Sequence, residues 1–489
     1  MLLCGCARHG SVAPRASAPP RAVTVPRRIG LHVPSVTHDE RLHYDVRLDA
    51  ELERIEVRVC SSGFRIERLN APSPGAERLL EGGKVITEQG DVPVTADAEG
   101  VDLPSTAADE CLSYAVRLPE KTPDPTSLRR VGRDRLASPD LWLWVASPRP
   151  EGAQIRVRLE LPEGVTAALP WPLAPESEGQ GSEFRVPETA FAWKAAGAFT
   201  HRTLETLPTP GASELRWTAL GDGFEHPADV RDWIEQSAQS ASVLFGKFPV
   251  PHALLIAVPG DRPGPAFGMA LRGGGPAVTL FLNRHAAARS LRADWSCTHE
   301  FLHLGVPRLP PEDAWLFEGL ATYYTEVVRA RSGRISPEAA YQHLLEGFER
   351  GRRDGGTLTL RDESASMREQ RSFYRVYWAG AALTLLTDLN ARRAGGPTLD
   401  MALRAFAECC ASSEEDWTAA RVLAHLDESL GAPLFASQAQ HWLERAEFPD
   451  LSEALRALGV APGKQGRAVF GRAPAASVRD AIMARAPTP

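Results

Sequence analysis

The chain has 489 residues, 43% of them hydrophobic and 24% charged, with a formal charge of −7. It is too long for one ordinary core and too apolar for a disordered chain. The charge forms no basic stripe, which excludes a nucleic-acid partner, and no run of about 18 apolar residues is available to cross a membrane as a helix.

Residues 1–30 read as a signal remnant and linker. Leu3-Cys4-Gly5-Cys6 ends like a lipobox, and a Pro-, Ala-, Ser- and Arg-rich stretch from His9 to Arg28 follows. The apolar stretch before Cys6 is too short for a whole signal peptide. The expectation is a lipid anchor at Cys6 and an exported location in a bacterial envelope, with a cytoplasmic location as the alternative.

Residues 31–205 form a β-rich unit. Tyr44–Leu48, Ile55–Val59 and Ile155–Leu159 alternate apolar with polar residues at period two, and Leu141–Val145 reads as a heavier, buried strand. Cys60 and Cys111 fall in this unit and can pair in an oxidising compartment. Cys409 and Cys410, adjacent in a helical stretch, are hard to bridge to each other.

Residues 206–395 mix both periods. A helix from Asp229 to Gly246 precedes a β segment over 252–283, in which Phe267–Leu271 and Val278–Leu282 flank a bend at Gly273-Gly274-Gly275. By pattern alone this also fits an ordinary hairpin. The run Arg350-Gly351-Arg352-Arg353 reads as a solvated loop. From 396 to 489 the pattern is helical, over Met401–Ala411, Ser412–Gly431, Phe435–Ala446 and Leu451–Leu458, with a return to strand at Arg467–Gly471. The fold class is multidomain α+β.

The chemistry concentrates at His299-Glu300-Phe301-Leu302-His303 and Trp315-Leu316-Phe317-Glu318-Gly319. Residues four apart on a helix share a face, so His299 and His303 present two imidazoles together. Gly305, Pro307, Pro310 and Pro311 end that helix, and Asp313 is placed to cap the next one. The return brings Glu318 back as a third ligand for one zinc ion and leaves a vertex for water. Glu300 lies beside that water as general base. The bland alternative, a buried helix pair with satisfied polar residues, would have to bury two His and a Glu at a cost of several kcal/mol.

The HEFxH motif followed by Trp-Leu-x-Glu-Gly-x-x-x-Tyr-Tyr resembles the gluzincin metallopeptidases, both the glycyl aminopeptidase and the aminopeptidase N families. The fourteen residues between His303 and Glu318 are fewer than those families show. The resemblance implies zinc ligands His299, His303 and Glu318, base Glu300, and a thermolysin-like catalytic domain. That domain would stand between a β-sandwich-like N-terminal domain and a helical C-terminal one. It also implies that Gly268, Met269 and Ala270 form an edge strand whose backbone pairs with an extended peptide. Relatives of the aminopeptidase N type carry a Glu there that binds the substrate's amine. Ala270 stands at that position here, and Asp261 and Glu326 are the substitutes to consider. Tyr377, three residues before Gly380, matches the tyrosine that donates to the oxyanion, and Tyr374 is its rival. The expected partner is a peptide or protein substrate, with endo- or aminopeptidase action open. Two other readings are a zinc hydrolase of a non-peptide substrate, and a surface-attached binding protein whose metal is structural.

Overall fold

In a computed structural model, residues 41–485 are described, apart from 88–89, 104–110, 121–123 and 175–181. Cys6 and its proposed lipid anchor lie outside the described residues.

The N-terminal part is built of three sheets. A seven-stranded sheet runs in the order Ser182–Arg185, Gln154–Glu160, Arg41–Leu48, Arg54–Ser62, Cys111–Arg117, Leu80–Thr87 and Gly90–Val94. Period-two alternation puts Leu42, Tyr44, Val46 and Leu48 on its buried face. Cys60 lies directly opposite Cys111 across two strands, with Cα atoms 4.3 Å apart, and the two are bonded. A four-stranded sheet (Leu128–Val131, Asp134–Ala137, Ala198–Thr200, Thr166–Ala168) packs through Val131, Leu136, Ala168 and Ala198 against Leu254, Ile256 and Val258 of the next part.

The central sheet has five strands: β1 (Glu205–Leu207), β2 (Glu214–Ala219), β3 (His252–Gly260), β4 (Phe267–Leu271) and β5 (Ala277–Asn283), in the order β1-β2-β3-β5-β4. β2, β3 and β5 are parallel, and β4 is antiparallel to β5 at the sheet edge. On one face lie α1 (Pro227–Phe245), α2 (Ser296–His303), α3 (Ala314–Arg331), α4 (Pro337–Arg353) and α5 (Phe373–Ala394). One apolar core runs from Leu207 to Met483, so the sheet, these helices and the C-terminal helices share it. The architecture is mixed α+β, with a β-rich N-terminal region and a helical C-terminal part.

Several expectations fail locally, each for a physical reason. Leu141–Trp144 is not a strand: Pro139–Leu141 is a 3-10 turn, and only Val145–Ser147 pairs. Here the Tyr114 hydroxyl replaces a ladder, donating to the Trp142 carbonyl at 3.1 Å and accepting from the Trp144 N–H at 3.0 Å. Arg350–Arg353 is the last turn of α4 rather than a loop, and Arg352 and Arg353 pair with Glu349 one turn back. The helix expected from Ser412 begins at Ala419, because the Thr418 side chain caps it. The helix expected over Phe435–Ala446 spans Leu434–Trp442. Cys409 and Cys410 are bonded to each other, against expectation. Val469–Phe470 does return to strand, paired with Val460–Ala461, and an unforeseen helix follows at Ala476–Ile482.

Candidate metallopeptidase site

Every residue of α2 is buried. Its start is held by Asp294, whose carboxylate accepts from the Ser296 N–H at 2.8 Å and the Ser296 hydroxyl at 2.6 Å. Asp313, by contrast, does not cap α3; its carboxylate accepts from the Ala419 N–H at 2.6 Å.

The two helices bring three donor atoms together. His299 Nε2 and His303 Nε2 are 3.2 Å apart, and Glu318 Oε2 lies 3.2 Å from the first and 3.3 Å from the second. A tetrahedral ion with bonds of about 2.0–2.1 Å has ligand-to-ligand edges of about 3.3 Å, so this triangle fits zinc. Burial would raise the Glu318 carboxyl, but the charges of His303 and His299 and their hydrogen bonds outweigh it and hold it well below the usual range. Burial would lower His299, yet Glu318 and Glu300 raise it.

Neighbouring side chains with no role expected from the sequence orient these ligands. The Thr325 hydroxyl donates to the Ala321 carbonyl at 2.7 Å, so toward His299 Nδ1, 3.4 Å away, it is the acceptor. That long contact favours the proton on Nδ1 and leaves Nε2 free for a metal. His303 Nδ1 is buried and has no hydrogen-bond partner among the described residues. Its ring is instead stacked on Phe317, with centroids 4.1 Å apart and planes at 15°. Trp295 meets His299 edge-on at 5.3 Å. The signals were present, since Phe317 flanks Glu318 and Thr325 lies seven residues beyond it, but nothing in the spacing says which ring each one touches.

Glu300 points to the edge strand. Its side chain lies so close over Gly268 that a Cβ there would sit 2.4 Å from Glu300 Cγ and 2.8 Å from its carboxylate oxygen. Burial pushes the Glu300 carboxyl up, while the charges of His303 and His299 pull the other way. Gly268, Met269 and Ala270 lie opposite Leu280, Thr279 and Val278 on this edge strand.

Tyr377 stacks over His299, with ring centroids 6.3 Å apart and planes at 13°, and lies beside Glu318. Burial first, then the charges of Glu318 and Glu300, pushes its hydroxyl well above its ordinary value, so it stays protonated. Tyr374 is 55% exposed and lies under the Arg350 guanidinium. Neither substitute for the amine-binding Glu is free. Asp261 is paired with Arg284 at 2.6 Å, and Glu326 with Arg329 at 3.2 Å and His343 at 2.8 Å.

The M61 glycyl aminopeptidase family matches residues 308–382, the stretch that holds Glu318 and Tyr377. No curated protein matches the chain. Among solved structures, an aminopeptidase N family protein from Idiomarina loihiensis aligns with a TM-score of 0.68 at 15% identity, over 86% of this chain and 78% of that one. The M1 zinc metallopeptidase from Deinococcus radiodurans aligns with a TM-score of 0.53 at 17% identity, over 84% of this chain and 94% of that one. A mutant of an M1 zinc metallopeptidase from Deinococcus radiodurans, bound to a Tyr-Ser-Ala substrate, aligns with a TM-score of 0.52 at 17% identity, over 84% and 94%. The chain is thus a gluzincin aminopeptidase-like protein, an enzyme of the metallopeptidase class of hydrolases.

Proposed function

We propose that this chain hydrolyses peptide bonds with one zinc ion held by His299, His303 and Glu318. Bound there, zinc would bring the pKa of a water toward about 7 and polarise the scissile carbonyl. Glu300 takes the proton of that water and delivers it to the leaving amine, a task that suits a base raised above its ordinary value. Tyr377, kept neutral by its surroundings, donates to the developing oxyanion. Gly268, Met269 and Ala270 hold the peptide backbone at the open edge of β4.

The observation that carries the reading is the position of Glu300. It lies one residue from a ligand and packs over Gly268 of the strand on which a peptide would lie. A metal held only for structure gives Glu300 no such task. The peptide substrate is supported by the M61 match and by the solved neighbour bound to Tyr-Ser-Ala. Glu300→Gln should retain zinc and lose hydrolysis by at least about 100-fold. Hydrolysis that survives this change would remove Glu300 from the mechanism.

A second reading concerns the substrate's end. Ala270 offers no carboxylate, and Asp261 and Glu326 are engaged by cations, which favours acceptance of peptides with no free amine. Matched peptides with free and acetylated N-termini decide it: a strong preference for the free amine rules it out. We read the parts around the site as a β-sandwich-like domain over 31–205, a thermolysin-like domain over 206–395 and a helical domain over 396–489. An exported location is supported by the bonded Cys60–Cys111 pair, since such bonds persist in oxidising compartments.

A further inference from the structure

Arg272 follows β4 directly, and its guanidinium turns back under the end of α2. One nitrogen, Nη2, donates toward three carbonyl oxygens: His303 at 3.0 Å, Leu304 at 2.9 Å and Val306 at 2.7 Å. Desolvation alone pushes its pKa down to about 10, with no carboxylate contributing, so it keeps its charge at neutral pH. Even a half-buried cation with no ion-pair partner among the described residues is costly. Its compensation is the C-terminal end of a helix, which carries unsatisfied carbonyls and partial negative charge. The chain after His303 is wound tightly around that nitrogen, with Leu304, Gly305 and Val306 each donating three residues back.

The origin of the arginine gives this contact its meaning. β4 and its flanks are tied to α2 and the residue leading into it at three points. The Ala266 N–H donates to Asp294 at 2.7 Å, the Glu300 side chain packs directly over Gly268, and Arg272 holds the His303 end. Glu300 and His303 are about one helical turn apart, and Gly268 and Arg272 are four residues apart on the strand side. The last two ties thus fix the open edge of β4 against the base and a ligand together. We infer that Arg272 is a positioning residue, setting the distance from the peptide-binding edge to the His303 ligand. This rests on the metallopeptidase reading above.

The test uses the full chain loaded with zinc, and separately with cobalt, whose visible spectrum reports ligand geometry whether or not peptide is cleaved. Arg272→Met should bind a full equivalent of zinc, lose kcat by about 100-fold with KM little changed, and alter the cobalt bands. Arg272→Lys, with three donors on one nitrogen, should recover most of both. A folded Arg272→Met with wild-type kcat and an unaltered cobalt spectrum, but a lower Tm, would overturn the inference and leave Arg272 as a purely structural cap. If Arg272→Met does not fold, Arg272→Gln is judged by the same two criteria. Wild-type protein that binds both metals but cleaves no peptide sinks the peptidase reading instead, and the cobalt comparison still judges Arg272.

Discussion

Gly319 and Gly380 are in backbone contact where α3 crosses α5. A Cβ on Gly319 would lie 2.4 Å from the Gly380 carbonyl carbon, and one on Gly380 would lie 1.8 Å from the Trp315 carbonyl oxygen. Glu318 precedes the first glycine, and Tyr377 stands about one turn before the second. The absence of two side chains is therefore what brings the third ligand and the tyrosine beside each other.

Gly380→Ala tests that contact. The clash is with backbone on a packed helix, so the helices must separate, at a cost of about 3 kcal/mol or more. A fall in Tm with loss of most peptidase activity is expected. Wild-type activity in this variant would mean that the crossing does not set the site.

Gly268→Ala is a finer perturbation. The added methyl falls on Glu300 Cγ and not on a ligand, so the base is displaced while the triad stays. Zinc content should be unchanged and kcat should fall by about 100-fold. Loss of zinc in step with activity would place the damage in the triad instead.

Tyr377→Phe removes one donor and little volume. The expected loss in kcat is about 100-fold, with KM nearly constant. Tyr374→Phe, at an exposed position beside Arg350, should leave both constants as they are. The reverse ranking would exchange the two roles.

Stability of the metal-free protein should depend on pH through Glu318 and His299. Glu318 is held below its ordinary 4.5, so its contribution is present above that value and is lost as pH falls through the depressed pKa. His299 is raised above 6.5, so its contribution is present below that value and is lost as pH rises through the raised pKa. Chelated protein should therefore melt highest between the two, and Glu318→Gln should flatten the dependence. Zinc requires neutral imidazoles, so the rise in Tm it produces should grow from about pH 6 to 8. Thermal melts with and without chelator check both slopes.

Much of the site was legible because it is written in local periods. His299 and His303 are four apart, Glu318 follows a short proline-rich return, and the strands over 252–283 have their own pattern. The same locality explains the failures. Trp142 and Trp144 look like strand residues until a hydroxyl from Tyr114, near thirty positions earlier, satisfies their backbone. Asp313 looks like a cap until Ala419 takes its carboxylate.

By itself the amino-acid order determined which side chains can share a helix face and where the helices stop, since both follow from backbone geometry and from Gly and Pro. Only the tertiary structure decided which of two tyrosines meets Glu318, that Arg272 closes the turn after His303, and that Asp261 and Glu326 are already paired. The physical reason is that these are partnerships between distant segments. A hydrogen bond or ion pair of that kind depends on where packing sets two backbones, and no local repeat records it.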